Sequence, residues 1–173
     1  VVLVRHNSYL FKGTVEENLR MAKPDATEEE MKAVLKKVNL LGFLQTQDGL
    51  QTKLLEKASN LSGGQCQRLV IARALLYDAA VYIFDEAASN IDVESEELIM
   101  DVIHELAKIK TVLLISHRLA NVVESDQIYF LKNGEIQEHG KHEELMQKDG
   151  EYRHLYESQM ALENYGRQVN RDV

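Results

Sequence analysis

The sequence predicts an α/β fold built around a parallel β-sheet. Three short runs dominated by apolar residues have the pattern of buried strands, Val1–Val4, Val81–Phe84 and Thr111–Ile115. The second run has the pattern of a strand buried on both faces of such a sheet. Apolar residues at helical spacing precede the second run, from Leu69, and the third run, from Ile99. The chain therefore reads as strands separated by helices.

The first strand leads into a loop, His6–Phe11, and then into a segment of short helices. Thr14 with Glu17, and Thr27 with Glu30, have the spacing of a capping box, in which two side chains satisfy the first backbone N–H groups of a helix. The apolar residues that line these helices are Met31, Val34, Leu35, Val38, Leu41, Phe43 and Leu44.

A glycine turn, Ser62-Gly63-Gly64-Gln65, opens directly into the next helix. Ser62 is a good N-cap, and Gln65 stands where its capping-box partner belongs. The glycines let another molecule approach the backbone closely, and a helix N-terminus attracts phosphate through its unpaired N–H groups and its dipole. The alternative, from these residues alone, is a capped surface helix with a flexible entry.

Asp85 and Glu86 directly follow the second apolar run, and Ser89-Asn90-Ile91-Asp92 comes next. Two acidic residues at the carboxyl end of a buried strand are costly unless they hold a metal or perform chemistry. Ligands of open α/β sheets also bind at that end. His117 stands at the carboxyl end of the third run, where a lone histidine is more often structural.

The last part of the chain contains a further strand, Asp126–Leu131, and the hairpin signal Asn133-Gly134, which turns it into Glu135–His139. The stretch from Lys141 to Tyr156 follows the hairpin. Residues 163–173 lack periodicity, and we expect a loose tail there.

Composition narrows the class of protein. The 173 residues, 45% of them hydrophobic and 28% charged, suffice for one domain with an ordinary soluble composition. A net charge of −8 argues against a nucleic-acid surface, and no apolar run reaches transmembrane length. The single cysteine, Cys66, cannot form an internal disulfide, which fits a reducing cytosol.

The order of these motifs resembles that of the ATP-binding-cassette (ABC) ATPases. The motifs are Leu61 to Gln65, the helix after it, the apolar run with Asp85-Glu86, and then Ser89 to Asp92. The resemblance covers almost the whole chain. It implies an α/β fold with an incomplete P-loop NTPase (RecA-like) parallel sheet and an inserted α-helical ABC signature subdomain. The implied segments are 1–13 for the Q-loop strand and loop, 14–77 for the helical signature subdomain, 78–162 for the core with the Walker B, D-loop and H-switch motifs, and 163–173 for the tail.

Two segments resemble exporter-type members in particular, Gly13-Thr14 with Asn18-Leu19, and His142-Glu143-Glu144-Leu145. The resemblance implies a domain that couples ATP binding and hydrolysis to export, with ATP and Mg²⁺ as ligands. The implied partners are a second ABC ATPase domain, paired head to tail, and a transmembrane domain; no nucleic acid is expected. The implied location is the cytoplasmic face of the cell membrane, with this chain itself soluble.

The resemblance implies roles for two motifs at the interface between the paired domains. Ser62, Gly63, Gly64 and Gln65 would contact the γ-phosphate of an ATP held by the partner domain. Asp92, in the D-loop, would contact the opposite subunit.

It also implies the residues of the chemistry. Asp85 would orient Mg²⁺ through water, Glu86 would be the general base that activates the attacking water, and His117 would bind the γ-phosphate. His6 stands at the Q-loop position, where the family has a glutamine that touches the metal and the attacking water. An imidazole offers one donor or acceptor there.

The sequence has no Gly-x-x-x-x-Gly-Lys motif, the P-loop that cradles the β- and γ-phosphates of ATP. In ABC proteins the P-loop precedes the Q-loop strand, so we expect the chain to be part of a longer ATPase and the isolated chain to be inactive. Two alternatives stay open, a non-catalytic ABC half-domain and a non-transport ABC ATPase.

In the family the P-loop strand lies between the strands that correspond here to Thr111–Ile115 and Asp126–Leu131. Without it, we expect Val1–Val4, Val81–Phe84 and Thr111–Ile115 to pair in parallel, and Asp126–Leu131 to pair only with its hairpin mate. Such a sheet keeps an exposed edge, which favours self-association.

Overall fold

The computed structural model describes residues 1–169, which form two compact units. The first comprises residues 1–115, and the second begins at Ser116. The boundaries predicted after residues 13 and 77 both fall inside the first unit, where the helical segment shares one apolar core with the sheet.

The first unit alternates strands and helices. Its strands are β1 (Val2–Arg5), β2 (Gly13–Thr14), β3 (Lys53–Leu54), β4 (Val81–Asp85) and β5 (Thr111–Ile115). Its α-helices are α1 (Val15–Arg20), α2 (Glu28–Lys37), α3 (Leu41–Gln45), α4 (Gly63–Tyr77) and α5 (Val93–Ala107). β2 and β3 form a small antiparallel pair beside the helices.

The main sheet has the strand order β1-β4-β5, and both pairings are parallel. Ile83 of β4 lies opposite Leu3 of β1 and Leu113 of β5, so the three residues form one row across the sheet. The predicted parallel pairing of the three apolar runs is confirmed. β4 is the central strand, and Asp85 is its last residue.

The two faces of this sheet differ in burial. Tyr82 and Phe84 lie in the core with the apolar residues of α4 and α5. On the other face, Leu3, Leu113 and Ile115 are 47%, 50% and 45% exposed. The expected burial of β1 and β5 therefore holds only toward the Tyr82 and Phe84 side, because α4 and α5 contribute their apolar residues to that side. Ile83 of β4, on the other face, is half-buried.

Two helices of the first unit begin at the predicted capping boxes. Thr14 caps α1 with Glu17, and Thr27 caps α2 with Glu30; in both boxes the side chain and the backbone bond reciprocally. Local sequence alone fixes these helix starts, because all the partners lie within three residues.

The second unit contains β6 (Ile128–Lys132), β7 (Glu135–Gly140), α6 (His142–Met146) and α7 (Glu151–Val169). β6 and β7 form the predicted hairpin, and Asn133 and Gly134 in its turn have positive φ angles of 53° and 81°. A short 3₁₀ helix, Leu119–Val122, precedes the hairpin. Tyr152 is fully buried in this unit, and burial raises the pKa of its phenol to about 12.

α7 continues through residues 163–169, where we expected a loose tail; residues 170–173 lie outside the described part of the chain. Glu163 on this helix pairs with Arg118 at 2.9 Å, a tertiary contact that local periodicity does not reveal. Within residues 1–169, neither α7 nor any other helix combines the length and the apolar character needed to cross a membrane.

Candidate functional site

The glycine turn Ser62–Gln65, called the signature turn below, caps α4 as predicted. Ser62 Oγ accepts a hydrogen bond from Gln65 N at 3.2 Å, and Gln65 Oε1 accepts one from Ser62 N at 2.9 Å. Ser62 and Gly63 are exposed, Gln65 is half-buried and Gly64 is buried. Ser62 and Gly63 are thus exposed to solvent at the start of α4. The side-chain oxygen of Gln65 is used for the cap.

Gly64 is buried against the start of α5. A Cβ at this position would overlap Ser95 Oγ, and it would stand 2.5 Å from Ser95 Cβ and 3.1 Å from Asp92 Oδ2. A Cβ at Gly63 would meet only Ile91 Cγ2, at an ordinary 3.7 Å. We predicted that the glycines permit close approach by another molecule; at Gly64 the close neighbour belongs to this chain.

Asp92 is the N-cap of α5, and its Oδ1 accepts from Ser95 N at 2.8 Å. The backbone N–H of Ser95, then its hydroxyl, hold the pKa of the Asp92 carboxyl below the ordinary 3.8. The side chain is exposed. The starts of α4 and α5 therefore meet, with the signature turn on one side and the exposed carboxylate of Asp92 on the other.

Asp85 ends β4 and lies opposite Arg5 of β1 and Ile115 of β5 in the sheet. Its Oδ2 is 3.8 Å from Arg5 Nε, and both side chains are more than a third exposed. Such an exposed ion pair is weak. The carboxylate is therefore held loosely at the carboxyl edge of the sheet, where we predicted it.

Glu86 has a left-handed backbone with φ +50°, an uncommon conformation for a residue with a side chain. Its N–H donates to Ile115 O at 3.0 Å, and its carbonyl accepts from Ser89 N at 3.0 Å and from Ser89 Oγ at 2.9 Å. These contacts hold a conformation that costs about 1–2 kcal/mol. Strained backbone of this kind clusters at functional sites.

His6 lies exposed in a turn after β1. The turn is closed by Ser8, whose N–H donates to Arg5 O at 3.2 Å and whose Oγ accepts from Arg5 N at 3.0 Å. Gln67 of α4 is buried, and its Nε2 donates to Arg5 O at 3.1 Å. No local pattern predicts this contact of Gln67, because its partner lies 62 residues away.

Asn18 is a further residue whose role only the structure reveals. It is 1% exposed; its Oδ1 accepts from Phe11 N, and its Nδ2 donates to the carbonyls of Phe11 and Thr14, all at 2.9 Å. Arg73 Nη2 donates to Tyr9 O at 2.8 Å. Asn18, which the sequence offers as part of an exporter-like segment, thus has a structural role. Together with Arg73 it holds the loop after β1 in place.

The fastened loop borders an apolar groove of about 300 Å³ in the first unit. The groove is lined by β1, by Phe11, and by Met21, Arg73 and Tyr77 among others. Phe11, Met21 and Tyr77 are 47%, 54% and 57% exposed. Burial lowers the pKa of the Arg73 guanidinium.

His117 belongs to the second unit, and its side chain is exposed. Its carbonyl accepts from Gln159 Nε2 of α7 at 2.8 Å. The structure thus brings the signature turn together with Asp92, and sets Asp85 and Glu86 at one strand end, all within the first unit. The described residues include no group of three or more His, Cys, Asp or Glu side chains that could hold a metal ion.

Comparison with known proteins agrees with the motifs. A family model described as "ABC transporter" matches residues 1–89. A Haemophilus influenzae protein described as "Uncharacterized ABC transporter ATP-binding protein" is 53% identical over 163 residues, which is 94% of this chain and 29% of that protein. A Staphylococcus aureus protein described as "Putative multidrug export ATP-binding/permease protein" is 42% identical over 158 residues, 91% of this chain and 27% of that one.

Among solved structures, a bacterial Atm1-family ABC exporter with ATP bound superposes with a TM-score of 0.82 at 31% identity. The match covers 91% of this chain and 28% of that exporter. The chain spans under a third of the length of the relatives that it matches.

Proposed function

The chain belongs to the ABC transporter family, and we propose that it forms part of the ATP-hydrolysing domain of an exporter. The observation that carries this proposal is the contact between the signature turn and the start of α5 at Asp92 and Ser95, in the unit whose central strand ends in Asp85 and a strained Glu86. The exporter-named relatives support the transport role. The substrate that would be moved is set by parts of the protein outside this chain.

The signature turn would bind the γ-phosphate of an ATP held by a second, head-to-tail ABC domain. Ser62 and Gly63 are exposed at the N-terminus of α4, where unpaired N–H groups and the helix dipole favour an anion. Gly64 would contribute through its backbone, because α5 covers it. Gln65 would contribute through its side-chain Nε2, because its backbone N–H donates to Ser62 Oγ and its Oε1 accepts from Ser62 N. Asp92 would contact the opposite subunit from its exposed position.

Glu86 would be the general base that accepts a proton from the attacking water. Hydrogen bonds to Ile115 and Ser89 fix the backbone of Glu86 and so restrict the direction of its side chain. Such restriction favours phosphoryl transfer, in which catalysis depends mainly on the positions of the reacting groups. His117 would bind the γ-phosphate and stabilise charge as it develops. His6, exposed at the Q-loop position, would offer an imidazole near the same edge of the sheet.

Asp85 would hold Mg²⁺ through water, and the metal would supply neutralisation of phosphate charge. The residues fit this use. Mg²⁺ keeps several waters and needs only one or two carboxylates beside the phosphates. Asp85 is half-buried at the strand end, and its pairing with Arg5 at 3.8 Å is loose enough to leave the carboxylate available to bound water.

A transmembrane domain would dock beside the loop after β1, at the cytoplasmic face of the membrane. The support is the apolar groove and its exposed side chains, Phe11, Met21 and Tyr77, next to a loop that Asn18 and Arg73 fasten. Exposed apolar patches on one side of a domain mark interaction sites.

The test is ATP turnover by the full-length protein. Glu86→Gln keeps the shape of the side chain but cannot accept a proton, so turnover should fall by about 10²–10⁴ while ATP still binds. Glu97→Gln, an exposed change on α5, is the matched control and should leave turnover unchanged. If the Glu86→Gln variant keeps more than half of the turnover, Glu86 is not the base. That result would favour the alternative that this chain is a non-catalytic ABC half-domain.

A further inference from the structure

A single side chain of α7 bonds to the backbone on both sides of Arg118. Gln159 Nε2 donates to His117 O at 2.8 Å, and Gln159 Oε1 accepts from Leu119 N at 2.9 Å. The side-chain amide of Gln159 thus donates to one residue and accepts from the residue two positions later. The backbone of a neighbouring β-strand bonds in the same way. Both contacts lie within the second unit.

A second contact from the same face of α7 holds the residue in between. Glu163 lies four positions after Gln159, so the two side chains project from one helix face. Glu163 Oε1 is 2.9 Å from Arg118 Nη2. Three consecutive residues, from His117 to Leu119, are therefore fastened to a single face of α7.

The fastened segment needs such partners because it lies between regular elements. β5 ends at Ile115, and the 3₁₀ helix begins at Leu119. Ser116 supplies a local contact, since its Oγ accepts from Arg118 N at 3.0 Å. Backbone groups outside helices and strands must find other partners, and α7 provides them for His117 and Leu119.

The His117 side chain is exposed, whereas its backbone is held. Gln159 bonds to the backbone of His117, so it acts on the imidazole through the position of that backbone. We propose that Gln159 is a positioning residue for His117, which holds the histidine backbone from α7 so that the imidazole can meet the γ-phosphate. The inference rests on the role proposed for His117 above.

Hydrogen exchange tests the contact itself. In the full-length protein, Gln159→Ala should speed exchange of the Leu119 amide by about two- to tenfold, as expected for the loss of one hydrogen bond. Alanine favours helix more than glutamine does, so the change should not weaken α7. Gln147→Ala, which removes the same amide from an exposed position after α6, is the control and should leave that exchange unchanged.

Gln159→Glu serves as a second variant of nearly the same shape. Its carboxylate can still accept from Leu119 N but cannot donate to His117 O, so the Leu119 amide should stay protected while turnover falls. If the Leu119 amide of the Gln159→Ala variant exchanges at the wild-type rate, the proposal is wrong. This result does not depend on the role of His117.

Turnover tests the consequence. Gln159→Ala should lower kcat for ATP by about 10- to 100-fold, because a misplaced catalytic group loses rate, and KM should change less than about twofold. Wild-type turnover by Gln159→Ala together with an inactive His117→Ala would overturn the positioning role alone. Full activity in His117→Ala would instead overturn the role proposed for His117, and the exchange data would still report on the contact.

Discussion

Gly64 of the signature turn packs directly against Ser95 in the first turn of α5, at a distance that leaves no room for a Cβ. The glycine lies in a helix and needs no unusual backbone angle. Its small size is what the contact requires. The signature turn and the start of α5 are thus fitted to each other within one chain.

Gly64→Ala should therefore destabilise the 173-residue chain by about 1–3 kcal/mol, the usual cost of overpacking a tight contact. Gly63→Ala should cost little, because its Cβ would meet Ile91 at an ordinary 3.7 Å. Urea denaturation of the two variants measures the difference. Equal midpoints for both would contradict the contact.

Ser95→Gly removes the Oγ and Cβ atoms that a residue-64 Cβ would strike. The effects of Gly64→Ala and Ser95→Gly should then be non-additive, with a favourable coupling of about 0.5–3 kcal/mol in a double-mutant cycle. Additive costs would show that the alanine is accommodated elsewhere.

Asn18→Ala should destabilise the chain by about 1–3 kcal/mol, because it removes a buried amide and leaves part-buried backbone groups of Phe11 and Thr14 without their partner. Asn7→Ala removes the same group from an exposed turn and should have little effect. Limited proteolysis near Phe11, run beside the urea denaturation, should show a loosened loop only in Asn18→Ala. Resistance equal to that of wild type would mean that the loop is held by other contacts.

The Asp92 cap should make stability depend on pH in one direction. Its pKa is lowered in the folded chain, so its contribution is complete above the unfolded-state value near 3.8 and is lost as the pH falls through the folded value. The stability difference between wild type and Asp92→Asn should shrink below about pH 4. Asp101→Asn, exposed on α5, controls for the change in charge. A difference that stays constant from neutral to acid pH would contradict the capping role.

The isolated chain should not bind Mg-ATP tightly, because its sequence lacks the P-loop that supplies most of the contacts to the β- and γ-phosphates. Isothermal titration calorimetry should give no saturable heat at micromolar concentrations, while the full-length protein should bind. Saturable low-micromolar binding by the chain alone would mean that the phosphate site lies elsewhere.

The sequence alone determined the features whose causes are local. The caps at Thr14, Thr27 and Ser62 were predicted to the residue, because each partner lies within one helical turn. The apolar runs predicted the three strands, and the resemblance to the family predicted their parallel pairing. The order of the motifs indicated the family.

Tertiary structure alone decided which distant groups meet. Nothing near Gly64 predicts Ser95 as its neighbour, and nothing near His117 predicts the amide of Gln159, because these contacts join residues 31 and 42 positions apart. The same reason applies to the sheet. A strand such as Thr111–Ile115 has the same sequence whether a layer covers both its faces or one, so the exposure of Leu113 and Ile115 depends on where the helices pack.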